Sequence, residues 1–309
     1  MNATSEPACN KFIVLGFPRS GTTLLRRLLD AHPAISCPPE TGLVSACGRF
    51  LQTSPTVDGL SVGVIPGLAF SGVAEDDVLN HLRTMMFDIH ARIAGDKPVW
   101  VEKSGFDIFY LDAIERLFAS HCKFICLIRH PLDVIASVKD LCDGMDQILP
   151  ELHRYVRQHA SVFDAFAEAW LDCTVALDAF RQRHAERCFF YRYEDMVQDP
   201  RAVLTKLLDF MGVEDHAEAL LTAAFKAETK VGLGDWRTYE TRGVTADSLE
   251  RWRTKLPAST VSRVVPVLSE TMLAHGYELP KTKSVPDLKK AVRHFQFSKQ
   301  LLQRSQDSA

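Results

Sequence analysis

Three short stretches carry the side chains that could do chemistry. Residues 16–23 place one guanidinium (Arg19), three hydroxyls (Ser20, Thr22, Thr23) and two glycines (Gly16, Gly21) within eight positions. Glu102 and Lys103 stand side by side, and Arg129 precedes Ser137 by eight residues. Cations, hydroxyls and glycine-freed main-chain N–H groups are the means by which a protein holds an oxyanion. The chemistry these stretches suggest is therefore the binding and handling of anions.

Each stretch sits where an element would aim it. Residues 12–15 are an apolar run suited to a strand buried on both faces. After the loop 16–21, Leu24, Leu25, Leu28 and Leu29 recur at helical spacing, which leaves Arg26 and Arg27 to face away. His32-Pro33 ends that helix, because a residue before proline avoids the helical conformation. A strand, a glycine-bounded loop and a helix N-terminus make an anion cradle, with the helix dipole adding partial positive charge. Residues 98–101 predict a second strand running into Glu102-Lys103, and 123–128 a third running into Arg129. Pro131 then opens a helix, with Asp133 in its first turn. His130, Val134 and Ser137 share a face of it, so Arg129 and the Ser137 hydroxyl can reach one anion near its N-terminus. Residues 187–191 predict a fourth strand. Helices are expected over 74–93, 108–118, 160–183, 200–211, 216–227, 249–255 and 261–275, and 50–70 reads as a long surface excursion.

The alternation predicts an α/β protein: a P-loop-like three-layer fold with a mostly parallel central sheet, helices on both faces and a helical C-terminal part. Such sheets bind ligands outside the carboxyl ends of their strands. One domain is expected over 1–280. A tail follows over 281–309, with seven Lys/Arg against two Asp and a partly amphipathic pattern suited to docking on the domain or on a second subunit, as in a homodimer.

The loop has the spacing of a P-loop, G-x-x-x-x-G-K-[ST], but Thr22 stands where the lysine belongs. That lysine neutralises nucleoside triphosphate oxygens, and the hydroxyl after it holds Mg²⁺. Here the charge has moved to Arg19. A donor with a singly charged terminal group needs less neutralisation and no metal, and a sulfuryl group is of that kind.

Pro18-Arg19-Ser20-Gly21-Thr22-Thr23-Leu24 resembles the 5′-phosphosulfate loop of the sulfotransferases that use 3′-phosphoadenosine-5′-phosphosulfate (PAPS). The resemblance runs in order over about residues 12–256 and is strongest to the tyrosylprotein and carbohydrate branch. It implies that Arg19, the loop amides, Thr22 and Thr23 serve the 5′-phosphate and sulfuryl oxygens. It assigns Arg129 and Ser137 to the 3′-phosphate. Arg242-Gly243, ahead of Leu249-Glu250-Arg251-Trp252, resembles the loop that closes over that phosphate. Tyr193 falls in the family's tyrosine-acid element and would line the nucleotide site. Glu102-Lys103-Ser104 resembles an Asn-Lys-Asp whose lysine meets the bridging oxygen. Cys37-Pro-Pro-Glu40-Thr41 resembles the segment with the catalytic glutamate, which makes Glu40 the general base. The family has consecutive glutamates where this chain has Pro39-Glu40, so the register departs there. Cytosolic members use a histidine instead, for which His90 and His130 are the candidates. The reaction implied is metal-independent in-line sulfuryl transfer from PAPS to a hydroxyl or amine, giving 3′,5′-adenosine diphosphate (PAP).

Composition narrows the partners. The 309 residues are 46% hydrophobic, with net charge −3, which offers no basic field for nucleic acid. Eight cysteines are scattered without CxxC spacing, as buried hydrophobes in a reducing compartment would be. No apolar run approaches the roughly 18 residues of a membrane span, and residues 1–10 carry no leader pattern. A cytoplasmic protein is expected. Its acceptor could be a small molecule, lipid, carbohydrate or carrier-bound chain. Two other readings stay open: a P-loop phosphotransferase, although the third strand ends in Arg129 and not in a metal-binding aspartate, and a non-catalytic nucleotide-binding module.

Overall fold

The computed structural model describes residues 10–226 and 241–280. The expected tail 281–309, residue Cys9 and part of the polar loop before Arg242 lie outside the described residues.

The elements run β1 (Lys11–Leu15), α1 (Thr22–Asp30), β2 (Ile35–Ser36), α2 (Leu43–Leu51), β3 (Thr53–Pro55), β4 (Ser61–Gly63), α3 (Val64–Phe70), α4 (Glu75–Ala94), β5 (Val99–Lys103) and α5 (Leu111–Phe118). After β6 (Lys123–Ile128) come α6 (Pro131–Met145), α7 (His153–Val156) and α8 (Val162–Arg183). The chain closes with β7 (Cys188–Arg192), α9 (Tyr193–Gln198), α10 (Pro200–Met211), α11 (Ala217–Ala223), α12 (Trp252–Lys255) and α13 (Ala258–Ala274). Two compact units divide them. Of the described residues, the first comprises 10–16, 21–127, 180–226 and 241–244, the second 17–20, 128–179 and 245–280.

The first unit is built on a sheet of order β2-β5-β1-β6-β7, with β1 parallel to both β5 and β6 and β2 parallel to β5. Residues 12–15 are fully buried, as a strand covered on both faces requires. Register sets the facing of the polar residues at the sheet end. Ile13 pairs with Glu102 and Phe124, and Val14 with Lys103 and Ile125. Successive side chains alternate, so Glu102 and Lys103 point to opposite faces. His90 of α4 stacks on Trp100, on the Glu102 face, at 4.4 Å. Phe180 meets Phe124 edge-on, and Phe210 of α10 meets Phe12.

The second unit gathers α6, α7, the first part of α8, α12 and α13 around Trp170, Phe166, Leu132, Ile135 and Leu268. Asp133 was expected only to favour the first turn of α6. Its carboxylate instead accepts the main-chain N–H groups of Glu250 and Trp252, at 2.9 and 3.0 Å. Arg263 on Asp164 and His275 on Asp178 tie α13 to α8.

Several expectations need correcting. Arg26 and Arg27 do not face solvent; they are 1% and 3% exposed. Arg26 reaches the Cys37 carbonyl at 3.4 Å and lies 3.8 Å from Asp30. Arg27 donates to the Ala224 carbonyl at 3.1 Å and lies over the Phe225 ring. Helical spacing reports which residues share a face and not what later segments bring to the other one. β2 and α2 were not expected, because proline and glycine mask them. Residues 50–70 do lie at the surface, but as the hairpin β3–β4 followed by α3. Met85 of α4 is exposed.

Candidate active site

The polar side chains fall into two groups, one in each unit. In the first unit, β5 delivers Lys103 at a main-chain position fixed by pairing with Val14. Its ammonium is 1% exposed and lies 2.6 Å from Glu40 Oε1 and 3.3 Å from the Thr23 hydroxyl. A buried ammonium needs such a counter-charge. Glu40 sits on the loop between β2 and α2, and its side chain retains 13% exposure. Lys103 fixes its position, and the remaining exposure lets a substrate proton come within its reach.

The neighbouring pair is more deeply buried. Thr41 Oγ1 lies 2.9 and 2.8 Å from the two oxygens of Glu102, which is 0% exposed. The same hydroxyl oxygen accepts the Leu43 N–H at 3.1 Å. His90 Nε2 approaches Glu102 Oε2 to 2.7 Å, but without the alignment of a hydrogen bond, so the contact is close and electrostatic. Asp107, fully buried, accepts from the Ser45 hydroxyl at 3.2 Å. Burial and then the nearby Glu102 hold its carboxyl well above the usual range, against the opposing Ser45 hydrogen bond.

Gly21 opens α1 in the left-handed region, at φ 98°. A Cβ there would come within 2.3 Å of the Tyr193 ring, so only glycine admits this packing. A glycine N-cap also supplies no side-chain cap to the first turn, which Thr22 and Thr23 begin.

In the second unit, Arg19 is itself left-handed, at φ 73°. Such a conformation is costly for a non-glycine residue and clusters at functional loops. Arg19 Nε donates to the Ser137 hydroxyl at 3.0 Å. Arg129 donates to the Arg19 carbonyl at 3.0 Å and to the Ser248 carbonyl at 2.6 Å. Arg19, Arg129 and Ser137 thus form one cluster, although they are far apart in sequence. Ser20 Oγ is buried and has no hydrogen-bond partner among the described residues. An unpartnered buried hydroxyl beside arginines suits a ligand oxygen.

Pro18 and Leu24 are buried flanks of the loop. Arg242 is exposed, and a Cβ on Gly243 would meet nothing within 4 Å, so no close approach at Gly243 is seen. Thr241, just before them, accepts from Arg27 at 3.5 Å. His90 is sealed between Trp100 and Glu102. His130 stacks on Trp252 and meets Tyr277 edge-on, and burial lowers its pKa to about 4. His32 accepts the Ala34 N–H at Nδ1, which puts its proton on Nε2, facing the Glu214 carbonyl at 3.1 Å; it belongs to the end of α1, as expected. Sequence reasoning gave no role to Thr41, Asp107 or Ser248. A charge inside the apolar run Val99-Trp-Val-Glu102 was the available signal for buried pairing; Ser248 had none. Among the described residues no group of three or more His, Cys, Asp or Glu could hold a metal ion, and no helix is long and apolar enough to cross a membrane.

The Sulfotransferase family model matches residues 11–218. The nodulation protein NoeE of Sinorhizobium fredii is 27% identical over 283 residues, covering 86% of this chain and 65% of that protein. The chain thus spans just under two thirds of that relative's length. Protein-tyrosine sulfotransferase 1 of Danio rerio is 22% identical over 281 residues, 85% of this chain and 71% of that one. Among solved structures, the sulfotransferase domain from the olefin synthase of Synechococcus PCC 7002 is similar, with TM-score 0.56 and 27% identity over 87% of this chain and 95% of that domain.

Proposed function

Because the chain belongs to the sulfotransferase family, we propose that it transfers the sulfuryl group of PAPS to an acceptor hydroxyl or amine and releases PAP. The observation that carries this reading is the buried Lys103–Glu40 pair beside the first turn of α1. In the reaction Glu40 takes the acceptor proton as the acceptor oxygen or nitrogen bonds to sulfur. The bond from sulfur to the bridging oxygen breaks, and Lys103 donates a hydrogen bond to that oxygen as it becomes a phosphate oxygen of PAP.

Arg19, Thr22, Thr23 and the loop amides serve the 5′-phosphate and the sulfuryl oxygens. Arg129 and Ser137 serve the 3′-phosphate, and the Arg19–Ser137 hydrogen bond couples the two sets. The orphaned Ser20 hydroxyl fits an oxygen-rich ligand. Arg242 supplies a further cation for the 3′-phosphate, and Tyr193 backs the loop through Gly21. Glu40 is the base in preference to His90 or His130, because His90 is fully buried and both rings are held in stacks. No nucleotide triphosphate and no metal enters this scheme. The cysteines Cys37, Cys47, Cys122, Cys126, Cys142 and Cys173 are buried and, among the described residues, in no disulfide, which favours a reducing, cytoplasmic setting.

The test is thermal stabilisation by PAP, compared with ATP with and without Mg²⁺. A ligand that binds only the native state adds RT ln(1 + [L]/Kd), about 2.7 kcal/mol at a hundredfold Kd. A large Mg²⁺-independent response to PAP is expected. A response to Mg²⁺-ATP alone would replace this reading with phosphoryl transfer.

A further inference from the structure

Two adjacent residues of one segment meet two adjacent residues of another. Glu102 and Lys103 point to opposite faces of β5. Thr41 meets the first and Glu40 the second, at 2.8 and 2.6 Å. The contacts form two rungs across the sheet end. One rung, Glu40–Lys103, keeps some exposure and carries the proposed chemistry. In the other, Glu102 and His90 are fully buried and Thr41 is partly buried.

The segment that bears Glu40 is anchored on both sides. Upstream, the Asp30 carboxylate accepts the Cys37 N–H at 3.0 Å, while Arg26 reaches the Cys37 carbonyl. Downstream, Thr41 binds Glu102 and accepts the Leu43 N–H that begins α2. Behind Glu102 stands His90, fixed by its stack on Trp100. A loop residue such as Glu40, preceded by Pro38 and Pro39, has no ladder of its own to fix its direction.

We propose that Thr41, Glu102 and His90 are positioning residues: their contacts lock the register of the 37–43 segment so that Glu40, and not a neighbour, faces Lys103. This role rests on the sulfuryl-transfer reading. The Thr41 hydroxyl has one proton to give to the Glu102 carboxyl, and a hydrogen bond to an ionised acceptor is short and strong enough to fix a loop residue. Releasing it frees the Glu40 backbone, and a displacement of about 1 Å at a reacting group can cost on the order of a hundredfold in rate.

The experiment follows PAP release from PAPS, with 2-naphthol as the probe acceptor, in the wild type, Thr41→Val, Thr41→Ser and Glu40→Gln. Thr41→Val should lower kcat by roughly ten- to a hundredfold, while KM for PAPS and calorimetric PAP affinity stay within about twofold. Thr41→Ser, which keeps the hydroxyl, should recover most of the loss. Full kcat in Thr41→Val, or an equal loss in PAP affinity, overturns the positioning role. Full turnover in Glu40→Gln sinks the assignment of the base and is a separate failure.

A second readout needs no turnover. Glu102→Leu removes the acceptor of Thr41 and touches neither Thr41 nor Leu43. It should speed hydrogen exchange of the Leu43 amide by at least about tenfold, and Glu102→Gln should not. An unchanged Leu43 amide in a folded Glu102→Leu protein overturns the proposal even if no acceptor is turned over.

Discussion

The two candidate-site groups, one in each unit, hold their charged side chains by different means. In the first, Lys103 meets the carboxylate of Glu40, and Glu102 meets a hydroxyl and an imidazole, all within a nearly dry sheet end. In the second, Arg129 donates to two main-chain carbonyls and Arg19 to a hydroxyl. A buried ion pair is expensive to open, because each partner alone is an uncompensated charge. A hydrogen bond from an arginine to a neutral acceptor is easily traded for one to a phosphate, which is charge-assisted and stronger. The first arrangement suits a pair whose geometry must persist through a reaction. The second suits groups that must turn from protein to ligand and back.

Mutations can sharpen or break that contrast. The largest effect is expected from Lys103→Met, which strands Glu40 with no counter-charge. Stability should fall by about 3–5 kcal/mol in urea titrations, as for other buried pairs broken on one side. PAPS turnover should fall by on the order of 10²- to 10³-fold. Arg129→Ala should be milder in stability but should weaken PAP binding on the order of a hundredfold by calorimetry. A change of equal size in stability for both variants would erase the distinction.

Titration separates the units next. Asp107 is held protonated above its ordinary range by burial and by Glu102. Its folded pKa is raised, so its contribution is fully present below the unfolded value near pH 4 and fades as pH rises toward the folded one. Asp107→Asn should match the wild type at about pH 4 and exceed it at about pH 8 in urea midpoints. Parallel curves would mean that Asp107 is ionised in the fold. His130 runs the other way. Burial depresses it to about 4, so stability is present above the unfolded value of 6.5 and lost as pH falls toward 4. An NMR titration of its ring should give a midpoint near 4, and a midpoint near 6.5 would place it in water. The smallest effect belongs to Glu115. Its hydrogen bond from Arg183, with His184 assisting, lowers it to about 2. That stability is present above about pH 4.5 and is lost as pH falls toward 2, so Glu115→Gln should cost little at neutral pH and nothing at pH 2.

Much of the first unit was legible in the sequence, because its strands are local signals. The runs at β1, β5 and β6 each announce themselves within about ten residues. The parallel sheet follows from their alternation with helices. Pairings between distant residues were less visible. Nothing local reveals that Thr41 reaches Glu102, that Arg27 reaches Ala224, or that Asp133 caps the segment at Glu250 and Trp252. These depend on how separate elements meet, and the burial of Arg26 and Arg27 shows that amphipathic spacing alone misjudges a helix covered on both sides. Arg19 was legible as a loop cation but not as a partner of Ser137, since its left-handed backbone redirects the side chain.

In the proposed reaction Arg129 and Ser137 hold the 3′-phosphate of the donor, and Lys103 and Glu40 do the chemistry. The most direct measurement takes Arg129→Ala and Glu40→Gln side by side, following PAP-induced thermal shift and PAP release from PAPS. The account predicts that Arg129→Ala loses the shift, while Glu40→Gln keeps it and loses turnover. A Glu40→Gln protein that loses the shift, or an Arg129→Ala protein that keeps it in full, would contradict the account.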